Sequence, residues 1–211
     1  VEAAEGLDGL VHNAGILRDK SLVKLEPDDV RSVLAVHLEA AFWLLKPAFA
    51  AMRSGGFGRV VLTTSSSGLF GNFGQSNYGA AKTGLVGLMR VLVQEGARFG
   101  LLGNCVAPSA RTRMTEALLG DLSDKRDPAH VAPLVAYLCS ERSRINNQIF
   151  SAGGGRYARV FLGLTPGWVH RGSAPATPED LEANLERILD PQGYTVPESG
   201  LDELQLMRAA L

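Results

Sequence analysis

Arg59-Val60-Val61-Leu62-Thr63-Thr64-Ser65, followed thirteen positions after its serine by Tyr78-Gly79-Ala80-Ala81-Lys82, is the stretch on which the reading of this chain turns. The first part is β-branched and apolar without alternation, which fits a strand at 59–64 buried on both faces of a parallel sheet. The second lies in a run, 77–99, whose apolar residues recur at helical spacing. A glycine-rich loop joins them. A strand feeding a loop and then a helix is the repeating step of an α/β fold, and the carboxyl ends of such strands are where these sheets bind ligands.

The same step recurs on either side. Upstream, 7–11 is a short apolar run closing on Asn13-Ala14-Gly15, a strand that ends in a turn. Pro27 then opens a helix over 27–52, with Asp28 and Asp29 in the first turn where carboxylates meet the positive end of the dipole. Gly55-Gly56-Phe57-Gly58 breaks it. Downstream, 102–107 reads as a third strand stopped by Pro108, 128–139 as a helix and 148–151 as a strand. The fold class is α/β, a Rossmann-like, doubly wound parallel sheet with helices on both faces. Residues 1–155 carry it. Beyond Gly153-Gly154-Gly155 the composition shifts. Thr177-Pro178-Glu179-Asp180 starts an amphipathic helix, 178–189, with a stripe of Leu181, Leu185, Ile188 and Leu189. Residues 156–211 are thus expected to be an appended tail of the same domain.

Bulk properties bound the function. With 211 residues, 45% hydrophobic, the chain can bury one full core. The formal charge is −1 with no block of either sign, which excludes the basic stripe that nucleic acid or an anionic membrane demands. Small molecules and copies of itself are the expected partners. Cys105 and Cys139 read as buried thiols, and His12, His37, His130 and His170 stand at no metal-ligand spacing, so no metal is expected. The longest apolar stretch, 40–52, is interrupted by Lys46 and Pro47 and is shorter than a membrane span. A cytoplasmic protein is expected.

Tyr78 and Lys82, four apart on a helix, share one face and can reach one ligand. A phenol is a poor base at neutral pH, and a neighbouring ammonium stabilises its phenolate. Ser65, at a strand end, can donate to a substrate oxygen. Asn13-Ala14-Gly15 offers small residues for close approach of a cofactor. Each has a plain alternative: a surface ion pair, a polar turn, a tight turn.

Taken together, Asn13-Ala14-Gly15, Ser65, Tyr78-Gly79-Ala80-Ala81-Lys82 and Asn104-Cys105-Val106-Ala107-Pro108 resemble the short-chain dehydrogenase/reductase family in order and spacing. Asn13-Ala14-Gly15-Ile16-Leu17-Arg18-Asp19-Lys20-Ser21, Gly71-Asn72-Phe73-Gly74-Gln75, Arg113-Met114-Thr115 and Val131-Ala132-Pro133-Leu134-Val135 are similar to its (3R)-hydroxyacyl-CoA dehydrogenases, those of peroxisomal multifunctional enzymes type 2 and their bacterial relatives. The resemblance implies an oxidoreductase that oxidises a 3-hydroxyacyl-CoA to the 3-oxo thioester with NAD, NADP being compatible. It implies Tyr78 as acid/base, Lys82 as the residue that binds the nicotinamide ribose and lowers the phenol pKa, and Ser65 as holder of the substrate oxygen. Asn13, Ala14 and Gly15 line the adenosine side, and Pro108 and Thr112 the nicotinamide end. His37 stands where most members place a relay asparagine; it serves that relay or fills the helix face. Pro108-Ser109 replaces the usual Pro-Gly. In the family the helices 27–52 and 77–99 form the dimer interface, so a homodimer or homotetramer is expected.

Alternatives within the fold are a 3-oxoacyl carrier-protein reductase and a hydroxysteroid dehydrogenase. An alternative of another class is a non-catalytic fragment or scaffold. The family's TGxxxGxG turn, which receives the pyrophosphate at a helix N-terminus, is absent from these residues. The reading therefore expects an upstream glycine-rich βαβαβ segment, roughly 60 to 90 residues long, in the polypeptide as made.

Overall fold

The computed structural model describes residues 6–110 and 127–210. They divide into two compact units, the first ending at Val160 and the second beginning at Phe161. In the first, β1 (Gly9–His12), β2 (Gly58–Thr63), β3 (Leu101–Pro108), β4 (Gln148–Gly153) and β5 (Arg156–Val160) form one sheet in that order. The first four are parallel and β5 runs antiparallel to β4. The helices are α1 (Pro27–Gly55), α2 (Ser66–Phe70), α3 (Ser76–Gly96) and α4 (Ala132–Cys139). This is the expected α/β sheet.

Alternation along the strands divides the core. Val60, Leu62, Cys105 and Ile149 pack with Ala41, Leu45 and Met52 of α1 and Leu85, Met89 and Val93 of α3. Val61, Val106 and Ala152 turn the other way and pack with Leu138 of α4 and Val131 just before it. Strands buried on both faces explain the unbroken apolar run of β2.

Four expectations are corrected. Gly153-Gly154-Gly155 does not end the sheet: Gly154 and Gly155 take positive φ, +58° and +79°, and fold β5 back on β4. Residues 156–160, read as tail, are therefore sheet. The run 40–52, read as interrupted at Pro47 and shorter than a membrane span, lies in a helix of 29 residues, because Pro47 sits inside α1 without ending it. By length and composition alone α1 could cross a membrane, a test that a core helix also passes. Its Val33, Ala41, Leu45, Ala48 and Met52 are buried. Within α1, Ala35–Glu39 is a π-turn in which the Ala40 N–H reaches Ala35 O.

The fourth correction concerns the second unit. The Thr177/Asp180 capping box forms as expected, but the helix it opens is split at Asn184 into α5 (Pro178–Ala183) and α6 (Leu185–Leu189). Asn184 leaves helical geometry at φ −115°, ψ 12°, and its side chain donates back to Asp180 O at 2.8 Å. A further helix, α7 (Gly200–Ala210), has no counterpart in the sequence reading. Leu181, Leu185 and Leu189 of the stripe stay exposed.

Candidate active site

The carboxyl ends of β1, β2 and β3 deliver Asn13, Ser65 and Pro108 to one edge of the sheet. Ser65 is extended and caps α2, its Oγ accepting from Ser67 N–H at 3.2 Å. α2 lies close on α3 because two glycines allow it. A Cβ on Gly68 would stand 2.9 Å from Lys82 Cβ, and one on Gly79 would stand 3.2 Å from Ser67 O. That approach brings the Ser65 hydroxyl close enough to the Tyr78 phenol to favour its phenolate.

Lys82 is buried and donates through Nζ to Thr63 O at 2.6 Å, while its own carbonyl accepts from Thr64 Oγ1 at 2.7 Å. Helix and strand end are thus stitched in both directions. The ammonium stands 5.7 Å from the centre of the Tyr78 ring. Burial pulls the Lys82 pKa down to about 8. Burial also raises the Tyr78 pKa; the Ser65 hydrogen bond acts against this and the Asp19 carboxylate adds to it. Burial is the largest influence on the phenol, and the Lys82 ammonium is turned to the Thr63 carbonyl.

His37 sits in the π-turn, buried, with its ring edge-on to Tyr78 at 5.1 Å between centroids. Its Nε2 is 3.0 Å from Ile16 N and 2.8 Å from Ile16 O, so the tautomer decides whether it accepts or donates. Nδ1 is buried with no partner among the described residues. Burial pulls the His37 pKa down to about 4 and keeps the ring neutral. His12, also buried, donates from Nε2 to His37 O at 2.9 Å. Gly15 lies against this ring: a Cβ there would come within 2.5 Å of His37 Cε1. The glycine of the Asn13-Ala14-Gly15 turn is fixed by a histidine, while Asn13 and Ala14 are exposed at the strand end.

Pro108 ends β3 opposite Ala152, and Ser109 N–H donates to Ala152 O at 2.7 Å. A Cβ on Gly153 would fall 2.2 Å from Ser109 O, so the close approach falls at Gly153, on the neighbouring strand. Thr112 lies outside the described residues. No group of three or more His, Cys, Asp or Glu among the described residues could hold a metal.

Sequence reasoning missed Asn77 and Gln75. Asn77 is buried; its Oδ1 accepts from Tyr78 N at 2.8 Å, and its Nδ2 donates to Arg18 O and Asp29 O. It anchors the turn that carries Tyr78. The available signal was the stretch Gly74-Gln75-Ser76-Asn77-Tyr78, which sets both polar residues just ahead of the tyrosine.

A family model described as short chain dehydrogenase matches residues 1–122. The chain is 44% identical over 189 residues to a Mycobacterium tuberculosis protein named as a short-chain type dehydrogenase/reductase, covering 89% of this chain and 65% of that one. It is 36% identical over 219 residues to the hydroxyacyl-CoA dehydrogenase ChsB1 of the same organism, covering 96% and 68%. The solved full-length peroxisomal multifunctional enzyme type 2 of Drosophila melanogaster superposes with a TM-score of 0.84 at 34% identity, covering 95% of this chain and 37% of that one. The chain thus spans about two thirds of the first of these and little more than a third of the last.

Proposed function

From the premise that the chain belongs to the short-chain dehydrogenase family and is an oxidoreductase, we propose that it oxidises the 3-hydroxyl of a 3-hydroxyacyl-CoA with NAD. The single observation that carries the reading is the convergence of Ser65, Tyr78 and Lys82 at one strand end. The substrate class rests on similarity to proteins named hydroxyacyl-CoA dehydrogenase and peroxisomal multifunctional enzyme. NADP is the alternative cofactor.

The residues fit the nicotinamide-ribose end of such a cofactor. Lys82 Nζ has three N–H donors and spends one on Thr63 O, which leaves two for ribose hydroxyls. When bound, the nicotinamide supplies the acceptor for the hydrogen that leaves carbon with its electron pair. Ser65 donates to the substrate oxygen, since its own Oγ already accepts from Ser67 N–H. Tyr78 Oη takes the alcohol proton as the carbonyl forms, and returns it in the reverse direction. Oxidation requires that the Tyr78 proton leave before that of the alcohol arrives, and burial of the phenol opposes that loss. His37 keeps the Tyr78 ring in place, and Nδ1 is the atom it has left for a relay. Asn13, Ala14 and Gly15 flank the adenosine side and Pro108 the nicotinamide end.

Self-association belongs to the same reading. Phe42, Trp43 and Leu44 on α1 and Val91 on α3 are exposed, and nothing crowds Gly87. These two helices are the proposed interface of a homodimer or homotetramer. Cys105 and Cys139 are free thiols, which supports a reducing compartment such as the cytoplasm.

The test is steady-state oxidation of a 3-hydroxyacyl-CoA by the full-length protein with NAD and with NADP. Tyr78→Phe lowers turnover by about 10²- to 10⁴-fold with the melting temperature unchanged. Residual activity within a few-fold of the parent would overturn the assignment.

A further inference from the structure

Gln75 is a buried amide at the N-terminus of α3, three residues before Tyr78, and every polar atom of its side chain is used. Nε2 donates to Asp19 Oδ2 at 2.6 Å, across 56 positions of sequence. Oε1 accepts from Ser67 Oγ at 2.7 Å and from Asn72 Nδ2 at 2.9 Å. The carboxylate can only accept, so it fixes which way the amide faces. The amide oxygen then takes the single proton of the Ser67 hydroxyl. Ser67 is the residue whose N–H donates to Ser65 Oγ at 3.2 Å. The chain of hydrogen bonds thus runs from an exposed carboxylate on the loop after β1 to the hydroxyl at the reacting centre. The same two loops are also joined by Lys20 N–H to Gly74 O at 2.9 Å.

We propose that Asp19 and Gln75 are a positioning pair for the reaction: together they hold the first turn of α2 so that Ser65 Oγ is an acceptor toward Ser67 and a donor toward the substrate oxygen. The inference rests on the role given to Ser65 above. Neither residue is a catalytic group, because neither is hydrogen-bonded to the phenol or to the Ser65 oxygen; the positioning runs through Ser67, while the Asp19 charge also raises the phenol pKa. The loop after β1, which carries Asn13 to Gly15 at its start, is tied by the same contact to the turn that starts α3. A weakened pair therefore affects the direction of one hydroxyl more than the stability of the sheet.

The chemistry of the pair supplies its own test, because amide and carboxylate can be exchanged. Gln75→Glu places two carboxylates where the 2.6 Å contact was, and they share the site only with a proton between them. Asp19→Asn/Gln75→Glu restores one donor and one acceptor in reversed order. The charged or titratable groups nearest in the chain and in its contacts are Asp19, Arg18 and Lys20 on the loop after β1, Asp29 paired with Lys20, and Tyr78 and Lys82 further along α3; of these, Asp19 alone is hydrogen-bonded to the residue 75 side chain. In the full-length enzyme, kcat of Gln75→Glu relative to the parent falls about tenfold at pH 8 and recovers on acidification. The double variant returns to within about threefold of the parent at both pH values, and Asp19→Ala, on an exposed loop, reproduces the loss without a pH dependence.

A structural role alone would give the melting curves but not the coupling to Ser65. In a Ser65→Ala background, Gln75→Glu costs less than about twofold, because the hydroxyl it orients is gone. Ultraviolet titration of Tyr78 in the same variants reads the Ser65 contribution without turnover: the added carboxylate of Gln75→Glu raises the phenol directly, as Asp19 does, and raises it further when Ser65 is present than when it is alanine. If Gln75→Glu costs as much without Ser65 as with it, or if the double variant does not recover, the pair is structural and the proposal fails. An inactive parent enzyme would sink the functional reading instead, and the titration would still decide the pair.

Discussion

Arg59 and Lys82 are buried cations at opposite ends of β2, 5% and 2% exposed, and they are handled in opposite ways. At the amino end the Arg59 fork donates to Gly58 O at 2.9 Å and Gly100 O at 3.0 Å, reaches Ser143 O at 3.5 Å, and lies 4.1 Å over the Phe57 ring. At the carboxyl end Lys82 has one carbonyl, Thr63 O. Burial lowers both pKa values, and the nearby Arg144 lowers that of Arg59 further. A guanidinium keeps its charge regardless and spreads it over carbonyls from three segments. An ammonium with two unspent donors and a pKa near 8 is poised for a ligand. Burial does not mark a functional cation, and neither does an unspent donor, since Arg59 Nε is also buried without a partner among the described residues; what sets Lys82 apart is its place beside Tyr78 at the carboxyl end of the strand.

The contrast breaks most visibly at Lys82. Lys82→Met is expected to cost at least about 100-fold in kcat/KM while leaving the melting temperature unchanged or higher, since a desolvated charge with one partner adds little to the fold. Steady-state kinetics and thermal melts on the same preparation check both halves. A melt lowered by as much as the rate would make Lys82 a structural cation like its counterpart.

Arg59→Met should do the reverse. Leaving the Gly100 and Ser143 carbonyls without a donor lowers unfolding free energy by roughly 3 kcal/mol, with kcat per folded molecule unchanged. Denaturant titration together with active-site counting measures it. A large kcat loss would mean that the amino end of the sheet is coupled to the chemistry.

The smallest effect is a matter of pH. The folded-state pKa of Lys82, about 8, lies below its ordinary 10.5. Between those values the unfolded chain binds more protons, so stability from this residue grows as pH rises and is lost as pH falls through about 8. From pH 8 to 9.5 the parent should gain roughly 1.5 kcal/mol over Lys82→Met, and Arg59→Met should keep that gain. Parallel slopes in parent and Lys82→Met would place the Lys82 pKa elsewhere.

Local sequence carried the strand at 59–64, the Tyr78/Lys82 pair and Ser65, because each depends on spacing within one βα step. The helix starts at Pro27 and Thr177 were legible for the same reason, as caps are written within four residues. Long-range partners were not legible. Gln75 meets Asp19 across 56 positions, and no local pattern encodes that contact. Gly153 to Gly155 looked like a boundary because glycine marks both linkers and tight turns; only the pairing of Arg156–Val160 with β4 tells them apart. The split at Asn184 was hidden by a leucine stripe that runs through it. The burial of the Tyr78 phenol was not legible either, because charge spacing is written in the sequence and desolvation is not.

The π-turn at Ala35–Glu39 makes α1 a helix of two phases. Its inward residues Val33, His37, Ala41 and Leu45 recur every four positions, a stride longer than the α-helical 3.6, and the wider turn absorbs the drift. The extra residue also brings His37 O to His12 and the ring of His37 under Gly15. Shortening the chain by one residue anywhere in 35–39 would yield a more regular helix and a worse protein. Everything downstream would rotate by about 100° relative to the part upstream, turning Trp43 and its exposed neighbours toward the sheet or withdrawing the histidine from the tyrosine. In sequence comparison or redesign, a one-residue gap in this helix is a change of frame, and it separates chains that keep this centre from chains that merely keep its motifs.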